Sequence, residues 1–302
     1  MQARLRSTSV SLRYAPSPTG RLHIGNLRTA YVSHQIARSL GLKWQVRFED
    51  IDRPRVIQDS NEQQLNDLKS LGLVPEKIFY QSSNHRMHYQ SLLKILASGR
   101  AFACFCSRKD NEQSAPHTAP GQYSGACRKL SSMPDAQSLI GKNSVAWRLR
   151  DNDLIIGRSP LVQHLSEVPA ESGFQPSYHF ACALDDVVQN HLVIVRGADL
   201  ASARLDQSVL YRVAHELKIS ESLYEPVFVH TRMVIGRQGE RLEKRSSGVT
   251  LAELNAVGVD HNAVLEKFES SLDLSFLASI KLGEVKVYDE PGASIGIQTM
   301  GF

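Results

Sequence analysis

Between Ser9 and Tyr31 the chain passes from an extended run through two closely spaced prolines and a glycine into a helical pattern. Ser9-Val10-Ser11-Leu12 reads as a short strand, broken by Pro16 and Pro18 and turned at Gly20. Leu27, Ala30 and Tyr31 then supply the apolar stripe of a helix. A strand that enters a helix through a tight loop belongs to an α/β arrangement, and the unpaired N–H groups of the helix start favour a phosphate or carboxylate. In that loop His23 offers a neutral donor, and Gly25 lacks the Cβ that would keep a flat ligand off the backbone.

The same alternation continues downstream. Trp44-Gln45-Val46-Arg47-Phe48 is an alternating strand that ends in Glu49, Asp50 and Asp52, and Lys77-Ile78-Phe79-Tyr80 is another. Helical spacing covers 57–71, 88–98, 201–217 and 264–271, and Leu192-Val193-Ile194-Val195 is a buried strand that delivers Arg196. Strands alternating with helices predict a parallel sheet whose ligand site lies at the carboxyl ends of its strands. The stretch from 100 to about 175 breaks this rhythm with a Cys-rich start, a Ser-, Pro- and Gly-rich excursion and one clear strand at Ser144-Val145-Ala146-Trp147-Arg148-Leu149. The expected organisation is a first half-domain over 1–99, an insertion over 100–176, a second half over 177–235, and a polar loop with a short C-terminal subdomain over 236–302.

No run approaches the roughly 18 apolar residues of a membrane span, and Met-Gln-Ala-Arg-Leu-Arg has no secretory apolar core. A cytoplasmic protein without a membrane partner is the expectation. The net charge of +4 tilts toward a polyanion such as RNA. Of four cysteines, three fall between Cys104 and Cys127, which points to a metal before disulfides. Three thiolates suit tetrahedral zinc, and the fourth ligand is open between Tyr123, Asp110 and His117, with imidazole favoured by frequency.

Glu49 at a strand end suits an ammonium group; Arg196, at the end of a Val-rich strand, suits a carboxylate or phosphate or pairs with Asp199. The loop Arg241-Leu242-Glu243-Lys244-Arg245-Ser246-Ser247-Gly248 concentrates the mobile cations that can close over a triphosphate.

Together these pieces resemble a known family. Arg13-Tyr14-Ala15-Pro16-Ser17-Pro18-Thr19-Gly20-Arg21-Leu22-His23-Ile24-Gly25-Asn26 is similar to the adenylate-binding first motif of glutamyl-tRNA synthetases. Arg47-Phe48-Glu49-Asp50-Ile51-Asp52, Tyr178-His179-Phe180-Ala181 with Asp185-Asp186, and Val195-Arg196-Gly197-Ala198-Asp199-Leu200 follow in the family's order. The implied fold is a class I synthetase-type Rossmann parallel sheet, interrupted by a zinc-containing insertion and followed by a short C-terminal helical subdomain. Only about fifty residues follow the Lys244 loop, too few for the helical domain that reads the anticodon in a full synthetase. A catalytic half with Cys-x-Cys and Tyr-x-x-x-Cys resembles the glutamyl-Q tRNA(Asp) synthetase branch.

That resemblance implies a ligase that activates glutamate with ATP without tRNA and then esterifies it onto queuosine in the tRNA(Asp) anticodon. It implies a glutamate site at Arg13, Tyr14, Ala15, Pro16, Ser17, Glu49, Tyr178 and Arg196, and ATP and catalysis at His23, Gly25, Asn26 and Lys244. It implies a structural zinc on Cys104, Cys106, Tyr123 and Cys127, with Tyr123 in place of His117. Glutamate, ATP with Mg2+ and queuosine-containing tRNA(Asp) are the expected partners, with no DNA.

Two stretches depart from the family's pattern. Its Lys-Leu-Ser-Lys loop reads Arg241-Leu242-Glu243-Lys244, and the added acid costs ~1 kcal/mol near pyrophosphate when screened by water. Val168 to Pro176 replaces the usual Arg-x-Asp-Gly turn. Two other readings remain on the sequence alone: charging of a tRNA 3′ end with a separate partner chain, and a weakened glutamate- or RNA-binding paralogue.

Overall fold

The structure, a computed structural model, describes residues 10–300 apart from 108–109, 111–122, 136, 166, 221–224, 237, 240–248, 283–286, 293 and 298. His117 and the Arg241–Gly248 loop, with Glu243 and Lys244, therefore lie outside the described residues. In chain order the first elements are β1 (Ser11–Tyr14), α1 (Ile24–Leu40), β2 (Lys43–Phe48), α2 (Ser60–Ser70), β3 (Lys77–Tyr80) and α3 (His85–Ala97). Next come β4 (Ala101–Cys104), β5 (Ser144–Leu149), β6 (Ile155–Pro160), β7 (Gln175–Pro176), α4 (Tyr178–Val188), β8 (His191–Gly197) and α5 (Ala203–Glu216). The chain closes with β9 (Val227–Thr231), β10 (Met233–Ile235), α6 (Leu251–Ala256), α7 (His261–Ser270), α8 (Leu274–Ser279), β11 (Val287–Asp289) and β12 (Ser294–Gly296). No described helix is long and apolar enough to cross a membrane.

Two compact units result, one of 1–83, 189–204 and 224–302, the other of 84–188 and 205–223. In the first unit the described strands form a six-stranded sheet in the order β11-β9-β8-β1-β2-β3. Every neighbouring pair in it is parallel. Side chains alternate across a strand, so the two faces differ in chemistry. Leu12, Tyr14, Trp44, Val46, Phe48, Val193, Val195, Val227 and Val229 join one apolar cluster with Leu27, Ala30 and Tyr31 of α1. Arg13, Gln45, Arg47, Arg196 and His230, all buried, stand on the other face.

The C-terminal residues, which carry little periodic signal, belong to this same core. Leu254, Phe268, Phe276 and Ile295 sit in the cluster with α1, and Phe268 packs on Tyr31 with centroids 5.7 Å apart. β11 adds an outer strand to the sheet, and β12 pairs with β10. The predicted helix over 57–71 starts only at Ser60, because Pro18 ties down its approach: Ile57 N–H donates to the Pro18 carbonyl at 3.0 Å and Ser60 Oγ at 2.6 Å.

The second unit is built on an antiparallel sheet in the order β4-β5-β6-β7. Trp147, Phe174 and Phe180 are buried within it. Asp185 accepts from Asn84 at 2.8 Å and lies 2.9 Å from His88, while Asp186 accepts from the Tyr211 hydroxyl at 3.1 Å. These acids of α4 tie it to α3 and α5, a packing role for the Asp185-Asp186 pair.

Candidate active site

The loop between β1 and α1 is held by its own carbonyls. Glu49 N–H donates to Pro16 O at 3.0 Å, and Gln64 Nε2 reaches Ser17 O at 3.1 Å and Gly20 O at 2.5 Å. Gly20 has φ +129°, a backbone that only glycine adopts without strain. Glu49 N–H, just beyond β2, and the Gln64 amide of α2 thus hold the loop in place.

At the start of α1 the structure corrects one expectation. The first amides do not point outward unclaimed: His23 is the N-cap, and its Nδ1 accepts from Gly25 N at 3.1 Å and Asn26 N at 3.4 Å. With Nδ1 an acceptor, the neutral ring carries its proton on Nε2, which makes His23 a donor of fixed tautomer. The reason for Gly25 shifts accordingly. A Cβ there would lie 3.0 Å from His23 Cε1, 3.1 Å from Nδ1 and 3.3 Å from Val234 Cβ. Gly25 makes room for the histidine that caps it. Gly25→Ala is expected to turn the ring off the cap, lowering stability by about 1 kcal/mol. Thermal melts read the loss; an unchanged melt would contradict this account.

Arg13 of β1, Glu49 just beyond β2 and Arg196 of β8 occupy neighbouring strands at their carboxyl ends, and each is less than a tenth exposed. Glu49 is paired with Arg47 at 3.4 Å, and the Arg47 guanidinium reaches Gln189 Oε1 at 3.4 Å. Arg196 lies over the Phe228 ring, its Cζ 4.9 Å from the centroid. Three guanidinium groups and one carboxylate therefore share one buried face, with Arg47 set against Glu49, and the net positive charge suits a small ligand that carries carboxylates.

Tyr14, expected among the glutamate contacts, points the other way. Alternation along β1 puts its ring in the apolar cluster, stacked on Trp44 with centroids 6.4 Å apart, and its hydroxyl donates to Asn26 O at 3.2 Å. Burial pushes its phenol well above the usual range. Only its backbone remains for the Arg13 side. Ala15 and Ser17 are half-buried and Pro16 is buried in the loop. Tyr178, half-buried, opens α4 in the second unit with its ring against His179, centroids 5.4 Å apart.

In the second unit the thiols of Cys104, Cys106 and Cys127 lie within 4.8 Å of one another, Cys106 and Cys127 at 3.4 Å. The edge of a tetrahedral zinc thiolate site is about 3.8 Å, given a zinc–sulfur distance of ~2.3 Å. One ion fits with small shifts. Hydrogen bonds from Cys106 and Cys127 hold Cys104 well below the usual thiol range. Tyr123 sits beside them, its hydroxyl accepting from Cys127 N at 2.7 Å, with Arg148 Cζ 4.0 Å over its ring. Burial, followed by the charge on Cys104, pushes the Tyr123 phenol up, so a phenolate there needs a cation to form. Asp110 is otherwise engaged: Ser107 N–H and Lys142 hold its carboxylate at 2.7 and 3.0 Å and push its pKa down to about 2.

A family model described as tRNA synthetases class I (E and Q), catalytic domain, matches residues 9–269. The chain belongs to that family. The glutamyl-Q tRNA(Asp) synthetase of Nocardia farcinica is 33% identical over 87% of this chain and 84% of its own length. The glutamate–tRNA ligase 2 of Helicobacter hepaticus is 30% identical over 84% of this chain, which spans only 58% of that ligase. The fold is that of a crystallised glutamate tRNA ligase from Elizabethkingia meningosepticum, in complex with its amino acid, at TM-score 0.67 and 20% identity, over 97% of this chain and 68% of that one.

In this class I synthetase domain two of the groups that hold the candidate site, rather than form it, carry no sequence motif. Ser60 and Gln64 are fully buried polar residues on α2, and buried polarity on an otherwise ordinary helix was the one available signal. Arg47 is a residue of β2 and also a fully buried partner of Glu49. The flanks of the undescribed 240–248 segment also return to the motif: Ile24 N–H donates to Val249 O at 2.8 Å, and Thr250 bridges His23.

Proposed function

We propose that this chain activates glutamate as glutamyl-adenylate, with ATP and without tRNA, and transfers the glutamyl group to the queuosine base of the tRNA(Asp) anticodon. The observation that carries the reading is the single buried face bearing Arg13, Glu49 and Arg196 beside the His23 turn. Glutamate has two carboxylates and one ammonium. Arg13 takes the side-chain carboxylate, Arg196 the α-carboxylate side, and Glu49 the ammonium. Ala15, Pro16 and Ser17 line the same end.

ATP lies against His23, Gly25 and Asn26. The α-carboxylate oxygen attacks the α-phosphorus in line; the new C–O–P link forms as the bond to the β-phosphate oxygen breaks and pyrophosphate leaves. His23 Nε2–H donates to phosphate oxygen, and Lys244 neutralises charge as it builds on the departing group. Mg2+ enters with the nucleotide. In the second step a queuosine hydroxyl attacks the acyl carbon, its proton is lost, and AMP departs with the electron pair of the acyl–oxygen bond. Zinc on Cys104, Cys106, Cys127 and Tyr123 is structural, holding the insertion together.

The chain spans 84% and 81% of two glutamyl-Q relatives against 58% of a glutamate–tRNA ligase, which supports the queuosine target over a tRNA 3′ end. The test has two stages. Glutamate alone should drive ATP–pyrophosphate exchange in the absence of tRNA, and no exchange with any amino acid would falsify the first step. Labelled glutamate should then load tRNA(Asp) that contains queuosine and not tRNA(Asp) that lacks it. Equal loading of both, removed by blocking the 3′ end, would instead favour conventional charging.

A further inference from the structure

Glu290 is 4% exposed and follows directly on β11. Its carboxylate grips the fully buried Arg28 of α1 at both oxygens, 2.5 Å to Nη2 and 3.0 Å to Nη1. The same two oxygens accept from Arg232, at 2.9 Å from its backbone N–H and 3.4 Å from Nη2. Ser271, at the end of α7, completes the knot: its carbonyl takes Arg28 at 3.0 Å and Arg232 at 2.5 Å, and its hydroxyl takes Arg28 Nε at 2.8 Å.

The two arginines stand at informative places. Arg28 lies within one turn of His23–Asn26 at the start of α1. Arg232 immediately precedes β10, and β10 leads into the segment that carries Lys244. Further contacts join the same two elements: Thr29 Oγ1 meets Thr231 Oγ1 at 3.0 Å, and Val234 closes on Gly25. Beyond Glu290 the chain forms β12, which pairs with β10 along Met233↔Ser294 to Ile235↔Gly296. One carboxylate from the C-terminal segment therefore binds together the approaches to both nucleotide motifs.

We propose that Glu290 is a positioning residue for the nucleotide end of the site, setting the His23 turn against the strand that launches the Lys244 loop. The inference rests on the reading of His23 and Lys244 as ATP-binding. It gives the last residues of the chain a task in activation, where a staple would serve stability alone. A fully buried bidentate pair that also caps a backbone N–H permits little slack, so removing its charge lets α1 and β10 shift relative to each other. Arg13, Glu49 and Arg196 hang from β1, β2 and β8 and are held by other contacts, so the glutamate end should not follow.

In ATP–pyrophosphate exchange by the full chain, corrected for the folded fraction by circular dichroism, Glu290→Gln should lower kcat at least tenfold and raise KM for ATP several-fold. KM for glutamate should stay within twofold. Arg232→Met, which leaves the Arg28–Glu290 pair standing, should give the same pattern at three- to tenfold if the first variant folds poorly. Hydrogen–deuterium exchange is read alongside, because it does not depend on activity. Faster exchange over 23–26 and 249–250, with 43–48 unchanged, is the expected result. Folded variants with wild-type kinetics, KM values that rise together, or unchanged exchange over 23–26 would overturn the inference. A wild-type chain that exchanges with no amino acid would instead overturn the functional reading, and the hydrogen-exchange pattern would still decide the coupling.

Discussion

Arg13→Gln is expected to lower kcat/KM for glutamate in ATP–pyrophosphate exchange by about 10³, without conferring activity on glutamine. The size follows from burial. Arg13 is 3% exposed, so a carboxylate bound to it as proposed is out of water, and removing one partner of a buried charged pair costs ~3–5 kcal/mol. A factor of 10³ corresponds to about 4 kcal/mol. Glutamine does not gain, because the new amide of residue 13 must find its mate on a face already crowded by Arg47, Gln45 and Arg196. Arg13→Lys keeps the charge and loses the planar fork; it should recover part of the rate, roughly ten- to a hundredfold below wild type. Saturation curves in glutamate at fixed ATP carry the measurement. If Arg13→Gln leaves the glutamate curve unchanged, the side-chain carboxylate is bound elsewhere, and Arg196 becomes the leading candidate.

The strands that carry this face were legible because their chemistry alternates. Trp44-Gln45-Val46-Arg47-Phe48 announces two faces, and its acid end announces the site. Leu192-Val193-Ile194-Val195 hides its faces in an unbroken apolar run; only the register, with Ile194 opposite Arg13, shows that Arg196 shares the arginine side. Tyr14 belongs to the same motif as Arg13, yet period-two alternation sends its ring into the core. His23 shows a subtler limit. Histidine is not among the favoured cap residues, so a pattern reader gives its ring to the ligand alone; in the structure one nitrogen caps the helix and thereby orients the other. What no local pattern could reveal is Glu290. Its bond to Arg28 spans 262 residues, and it sits between two strands of three residues each, too short for any periodicity to register.

Removing the metal from the three-thiol cluster is expected to have the largest effect on stability. A preparation should carry about one equivalent of zinc, and stripping it with a strong chelator should lower the melting temperature by roughly 5–8 °C, the equivalent of ~3–5 kcal/mol for a chain of this size. The reason lies in what the insertion lacks. Among the described residues of 105–143, only Phe105 and Cys127 are buried apolar side chains, while Leu130 and Ile140 are exposed, the latter 77%. The described residues of this stretch thus offer little apolar core, and small units without a core use metals or disulfides in its place. Its cysteines are free thiols, so disulfides are not the device. The remaining structure offers a foundation in the antiparallel pairing of Cys104 with Ala146, and just beyond it Phe105 N–H donates to Cys127 Sγ at 3.4 Å. Substitutions separate the fourth ligand from its rivals. Cys127→Ala should lose the metal and melt as the stripped protein does. Tyr123→Phe should keep the ring beneath Arg148 and lose only the oxygen, giving weaker zinc retention under chelator challenge, whereas His117→Ala should retain zinc as the wild type does. Retention lost with His117→Ala and kept with Tyr123→Phe would hand the fourth position to imidazole; a metal-free chain with an unshifted melt would remove the site altogether.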